Sequence, residues 1–331
     1  MTVIAAQDAP SPDVARGAFN SLTLIAILGG ALITILVGGV YLWRWQLAPP
    51  EAVVTIPWPT PSPSPAAEGK PSFQPKNGRS LQPAPDPRVI EPHSSGLLPK
   101  IAEDGTRPFD LYARPMAPVA GVLADAPRIA ILLTGAGIGQ LTTVEAMVKL
   151  PTNVSFALSP YSSDLVRQAA DIRNEGHEVM LDLPIRDPDG PPGSAGPSAL
   201  SDSVDVDENH QQLFWAMARF QGYFGVSGQF KGRLSDNGSV RAVLSEVQNR
   251  GLGVIDYAAD DLTLLLDQDF QPQAIDEALQ YLEQKANKRG MAIGVAATTP
   301  LLIDRLRNWS AGLASRGYRL VPVSALLHGD G

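Results

Sequence analysis

The 331-residue chain contains no cysteine. Disulfide staples, thiolate metal sites and cysteine nucleophiles are thereby excluded, although a Cys-free chain suits oxidising and reducing compartments alike. Histidine is scarce: there are four, at positions 93, 177, 210 and 328, and no combination of them has recognisable metal-ligand spacing. A surplus of positive charge is missing as well. The formal net charge is -8, and residues 1–120 carry 9 Lys/Arg against 9 Asp/Glu, while residues 121–331 carry 17 against 25. All of the excess acid sits in the last two-thirds. This argues against nucleic acid as a partner, because phosphate binding needs a basic surface.

Charge of either sign is absent between Arg16 and Arg44. Within that stretch residues 21–43 read SLTLIAILGGALITILVGGVYLW. As a helix they span roughly 34 Å, against a hydrocarbon core of about 30 Å. Tyr41, Trp43 and Trp45 gather at one end, where amphipathic rings favour the membrane interface. A cleaved signal peptide has a shorter apolar region and a small-residue exit; the exit here is Trp-Arg-Trp. The expectation is a single uncleaved transmembrane helix over 21–43, behind a tail of residues 1–20. Ala26, Gly30, Thr34 and Gly38 line one face of that helix, where two copies can approach closely, so a homodimer through the membrane helix is a further expectation.

Residues 49–100 hold 14 of the 30 prolines. Runs such as PTPSPSP and PAPDP lack the backbone donors that a helix or central strand requires, so residues 44–96 read as a disordered Pro-rich linker. Apolar residues return over 97–126, which reads as a lead-in lying against a folded domain at 127–328.

In that domain short β-rich runs alternate with amphipathic segments. Strands are expected at 128–133, 154–158, 179–183, 224–227, 253–256, 291–296 and 319–323. Helices are expected near 141–150, 164–175, 207–220, 239–250, 272–289 and 300–315. Gly176, Gly251, Gly290 and Gly317 each follow a helical run, as a C-terminal glycine does. Alternation of this kind implies βα units and a mostly parallel sheet. The fold class is therefore α/β: a (β/α) barrel, seven-stranded and distorted, with an open doubly wound sheet as the alternative. In either case chemistry belongs beyond the C-terminal strand ends, at Thr134, Gly135, Ser159–Tyr161, Asp182, Ser227–Arg233, Asp256–Tyr257 and Ala296–Thr299.

Three short motifs fail on spacing. Gly135-Ala136-Gly137-Ile138-Gly139 places Gln140 where a dinucleotide fingerprint needs its third glycine. Gly225-Val226-Ser227-Gly228-Gln229 is not a nucleophile elbow. His177-Glu178 begins a zinc-protease motif, but position 181 is Leu. His177 itself reads as a turn residue.

The blocks LSPYSSDLVRQAADIRNEGHEVMLDLPI, RIAILLTGAGIG, YFGVSGQFKGRLS, GLGVIDY and GYRLVPVSALL, in that order and spacing, resemble the divergent polysaccharide deacetylase family of bacterial envelope proteins. The resemblance covers about residues 97–327 and implies a variation on the carbohydrate esterase barrel. It also implies an inner-membrane, single-pass protein whose C-terminal domain is periplasmic. Its relatives use a divalent metal held by one Asp and two His, which polarises the amide carbonyl and lowers the pKa of a bound water. Here the Asp-Asp places are Thr134 and Gly135. The L-H-L-P motif reads Leu181-Asp182-Leu183-Pro184, the His of N-N-H-M-G-S is Gln229, and the late His element reads Gly294-Val295-Ala296. Two carboxylates remain, Asp182 and Asp256, and no imidazole.

Such a set cannot reproduce an Asp-His-His site, so no metal site and no cofactor is expected; at most a hard divalent cation binds weakly through oxygen and water ligands. Asp182 and Asp256 are the candidate catalytic residues, with Tyr161, Gln229, Arg233 and Tyr257 as candidate substrate-binding residues. The structural alternative pairs Asp182 with Arg186 or Arg233 and makes Asp256 a cap or turn residue. The expected function is a membrane-anchored deacetylase-like protein of envelope carbohydrate metabolism with an altered site. The alternative is a non-catalytic module that binds an envelope glycan or envelope protein. The loop 186–203 follows the Asp182 strand and reads as a lid, a binding loop or simple disorder.

Overall fold

A computed structural model describes residues 81–116, 125–187, 189–191, 193–230, 238–258 and 260–327. The tail, the expected transmembrane helix and residues 44–80 of the linker lie outside the described residues. Among the described residues no helix is long and apolar enough to cross a membrane.

The folded unit begins earlier than the proline content implied. Asp86 accepts a hydrogen bond from the Arg88 amide at the start of a short 3-10 turn over Pro87–Val89. Strands β1 (Ile90–His93) and β2 (Gly96–Pro99) then form an antiparallel hairpin in which Ile90 faces Pro99. A two-stranded ribbon is all edge, so Pro92 and Pro99 remove no interior ladder bond. Helix α1 (Pro108–Tyr112) follows, and Val89, Leu98, Phe109 and Tyr112 are all buried.

The domain then alternates as expected. The elements are β3 (Arg128–Ala136), α2 (Gln140–Lys149), β4 (Val154–Leu158), α3 (Leu165–Asn174), β5 (Val179–Asp182), α4 (Val206–Met217), β6 (Gly225–Gly228), α5 (Ser239–Asn249) and β7 (Gly253–Asp256). After them come β8 (Thr263–Leu265), α6 (Pro272–Arg289), β9 (Met291–Ala297), α7 (Pro300–Ala311), β10 (Arg319–Leu320) and α8 (Ser324–Leu327). Local chemistry sets the helix ends. The Asp205 carboxylate caps α4 by accepting from the Glu208 amide, Thr299 caps α7 ahead of Pro300, and Gly290 closes α6 with a left-handed φ of 78°.

All strand pairs from β3 to β10 are parallel, and the main path runs β7-β6-β5-β4-β3-β9-β8. This order is sequential around a ring that is left unpaired between β7 and β8. The sheet is thus a curled, seven-stranded half-barrel. A doubly wound sheet would instead show a reversal of order at a switch point. One expected strand is displaced: 319–323 shortens to the two residues of β10, which pair with β3 off the main path, and the place in the path goes to β8, a three-residue strand the sequence pattern did not mark.

Apolar side chains divide by strand alternation. Ile129, Ile131, Leu133, Phe156, Leu158, Leu181 and Val226 pack outward against the helices. Ala130, Leu132, Ala157, Met180, Ile255, Ile293 and Val295 pack inward, where Val89, Phe109, Tyr112, Val323 and Leu326 join them from the two ends of the described chain.

Candidate functional site

The site is built on β5, β6 and β7. Asp182 ends β5 two residues after the inward-facing Met180, so alternation turns its carboxyl group toward the barrel interior. Its Oδ2 accepts from the Gly135 amide at 3.1 Å and its Oδ1 from the Ser227 hydroxyl at 3.3 Å. The Tyr257 phenol is an electrostatic neighbour of this carboxyl group, and the Gln229 side chain is a neighbour of Tyr257. Asp182 is thus held by Ser227 and Gly135, with Tyr257 and then Gln229 beside it. Register explains the assembly: Asp182 lies opposite Ser227 across β5 and β6, and Gly228 lies opposite Asp256 across β6 and β7.

Burial dominates the electrostatics. It raises the Asp182 carboxyl pKa to about 7, outweighing the Gly135 and Ser227 donors that favour the ionised form. Burial, and then the neighbouring Asp182 charge, push the Tyr257 phenol well above its ordinary range. At neutral pH Asp182 therefore divides between a carboxylic acid that donates and a carboxylate that accepts.

Asp256 is 5% exposed and has a different setting. Val254, two residues before it, packs against the outward cluster, which places Asp256 on the opposite face of β7 from Ile255 and Tyr257. Its Oδ1 accepts from the Phe230 and Ala258 amides, both at 3.1 Å. The carboxylate fixes the turns that follow β6 and β7. Tyr161 is exposed and belongs to another cluster. Its hydroxyl accepts from the Ser198 amide at 3.0 Å, and its ring lies 5.3 Å from that of Trp215. It thereby anchors the loop after β5, whose base is closed by the Ile185–Leu200 bridge and by the buried Asn209. Arg233 lies outside the described residues.

The structure therefore brings Asp182, Tyr257 and Gln229 together, with Asp256 one strand position away and Tyr161 on the loop wall. Ser227 and Gly135 complete the Asp182 environment. Both lie at strand ends, the region the fold singles out, but a serine and a backbone amide carry no chemical signature that would select them from sequence. His177 is fully buried below the sheet, its Nδ1 2.8 Å from the Val154 oxygen and its Nε2 3.0 Å from that of Met147. Burial holds its pKa below the usual histidine value.

An Asp-His-His metal centre does not fit these residues. Asp182 is surrounded by a hydroxyl, a phenol and an amide N–H, and the family's histidine place holds Gln229, which offers no imidazole nitrogen. Among the described residues no group of three or more His, Asp or Glu side chains gathers as a metal cage would require.

The model of the divergent polysaccharide deacetylase family matches residues 131–263 and 260–327. The chain belongs to that family. A crystal structure of an uncharacterized protein from Agrobacterium tumefaciens C58 is 30% identical to this family member, covering 70% of this chain and 99% of that one with a TM-score of 0.64. The catalytic domain of a peptidoglycan N-acetylglucosamine deacetylase from Eubacterium rectale ATCC 33656 is 14% identical over 62% of this chain and 93% of that one, with a TM-score of 0.42. A mutant of a CE4 family pseudoenzyme with restored enzymatic activity is 16% identical over 61% of this chain and 68% of that one, with a TM-score of 0.41. A search of the curated proteins gives no match.

Proposed function

We propose that this divergent polysaccharide deacetylase acts in envelope carbohydrate metabolism. It is held at the inner membrane by residues 21–43 and presents its barrel mouth to N-acetylated glycans in the periplasm. The observation that carries the reading is Asp182, an inward-facing carboxyl group with a pKa of about 7 that accepts from the Gly135 amide and the Ser227 hydroxyl beside Tyr257. Such a group can take a proton from the water that attacks the acetamide carbonyl and return it to the amine nitrogen as the C–N bond breaks, releasing acetate, as general acid–base catalysis at neutral pH requires. The neutral hydroxyls and amides around it suit an uncharged, hydroxyl-rich ligand. No step is assigned to a metal, because the residues present do not form the family's cage. The test is acetate release by the full-length protein from N-acetylglucosamine oligomers and peptidoglycan fragments. Release should fall at least 100-fold in Asp182→Asn; equal release by the variant would remove Asp182 from the chemistry.

One observation favours a second reading, glycan binding without turnover. Among the described residues Asp182 is the one carboxyl group of the cluster, since the Asp256 carboxylate is occupied by the loop amides. This reading expects saturable binding of the same oligomers, measured by calorimetry, with no acetate from either protein.

A further inference from the structure

Among the described residues an apolar surface without a partner lies on α2 and the loop that enters it. Helix α2 buries Thr143 and Ala146, whereas Leu141, Val144 and Val148 are 87%, 47% and 53% exposed. Their i, i+3, i+7 spacing makes one helical stripe. Ile138 extends it in the preceding loop at 67%, and Val166 on α3 is 68% exposed. Soluble surfaces rarely leave contiguous apolar patches without a use.

The stripe borders a hole. Helix α2 packs against α7 rather than α3, leaving a groove of about 110 Å³ lined by Leu141, Val144, Met147, Arg167, Gln168 and Ile172, among others. That volume accommodates an aliphatic side chain. Gln168 is 6% exposed; its amide nitrogen donates to the Ser162 hydroxyl and the Ser163 carbonyl, while its Oε1 has no hydrogen-bond partner. The wall thus keeps an unused acceptor. Each rim carries both signs of charge: Lys149 pairs with Glu145 and Asp304 on one side, and Arg167 with Asp164 and Asp171 on the other.

The geometry points to a two-fold contact with a second copy of this chain, in which Leu141 of each copy enters the groove between α2 and α3 of the other. A knob and a hole on one patch are what an isologous interface needs, because the same surface serves both copies. Rims of mixed sign support this occupant. They can pair with themselves on rotation, whereas a partner of uniform charge would meet like charges on both sides. The contact is separate from the small-residue face of the membrane helix and requires nothing of the Asp182 site.

The chain has no cysteine, so Val144→Cys introduces a single thiol. Full-length protein in detergent should be dimeric by light scattering, and the variant should form a disulfide-linked dimer under mild oxidation at least tenfold faster than Ser245→Cys on an exposed position of α5. In a Gly30→Leu background, which fills the small-residue face of the membrane helix, Leu141→Glu should shift the dimer to monomer with an unchanged circular dichroism spectrum, since Leu141 is solvent-exposed within one copy. Three results overturn the proposal: a monomeric Gly30→Leu protein, a dimer that survives Leu141→Glu in that background, or equal crosslinking rates at 144 and 245.

Discussion

At the residue scale, Asp182 couples stability to pH. Its folded pKa of about 7 lies above the ordinary 3.8, so between these values the folded state holds a proton that the unfolded state has released. Stability then declines as pH rises from about 4 to 7 and levels off above 7. Each tenfold difference in proton affinity between the two states is worth about 1.4 kcal/mol, so the decline is on the order of a few kcal/mol. Thermal unfolding from pH 4 to 9 should show this slope, and Asp182→Asn should flatten it while leaving the slopes of other groups in place. An unchanged slope in the variant would mean that the carboxyl group is solvated. Part of this site was legible beforehand. The Leu-Asp-Leu-Pro motif fixed Asp182 at a strand end, and the family pattern placed Gln229 near it. Strand alternation then separated the two carboxylates. Asp256 differs in parity from Tyr257, and a parity assignment depends on a register that one sequence does not specify.

At the element scale, the helices were legible because their ends carry chemistry: Asp205, Thr299 with Pro300, and Gly290 each satisfy or release backbone groups at a terminus. Strand β8 was not, because three residues are too few for a period-two pattern to stand out. The β1–β2 hairpin was hidden by Pro92 and Pro99, which composition alone assigns to a spacer. The loop after β5 offers a test of how firmly an element can be held by one contact. Gly193 and Gly196 both have left-handed φ, 76° and 86°. A Cβ at 193 would meet nothing within 4 Å, whereas a Cβ at 196 would come 2.5 Å from the Tyr161 ring. Gly193→Ala should cost only the strain of the left-handed backbone, about 1–2 kcal/mol. Gly196→Ala should also displace Tyr161, break its bond with the Ser198 amide and release the loop. Limited proteolysis within 186–203 should therefore accelerate much more in Gly196→Ala than in Gly193→Ala, and equal rates would show that Tyr161 does not hold the loop.

At the scale of the whole molecule, the two ends of the described chain close the base of the barrel, and Glu178 joins them. This fully buried carboxylate, just before β5, accepts from the Arg114 amide at 2.9 Å, the Ser155 hydroxyl at 2.7 Å, and the Ser324 amide and hydroxyl at 3.0 and 2.6 Å. Ser155 in turn accepts from the Val323 amide at 3.1 Å. In Glu178→Gln one acceptor oxygen becomes a donor facing other donors, at a cost on the order of 3 kcal/mol. Urea unfolding should show that loss with an unchanged m value, because the molecule still unfolds as one unit. The apolar half of the closure is larger. Phe109 and Tyr112 fill the interior beside Phe224 and Ile255, with the Phe109 ring 5.8 Å from that of Phe224 and its amide bonded to the Gly251 carbonyl. Phe109→Ala should therefore cost ~3–5 kcal/mol, as a core position of the barrel does and a position in a loose lead-in would not. The same packing sets the shortest chain that folds. A fragment beginning at Pro71 keeps the hairpin and α1 and should elute as a folded species with a cooperative transition. One beginning at Pro127 retains every strand of the half-barrel yet exposes the inward faces of Phe224, Ile255 and Val323, and should aggregate or bind a hydrophobic dye. A cooperative, dye-free fragment from Pro127 would show that the half-barrel is sufficient and that residues 81–116 merely rest on it.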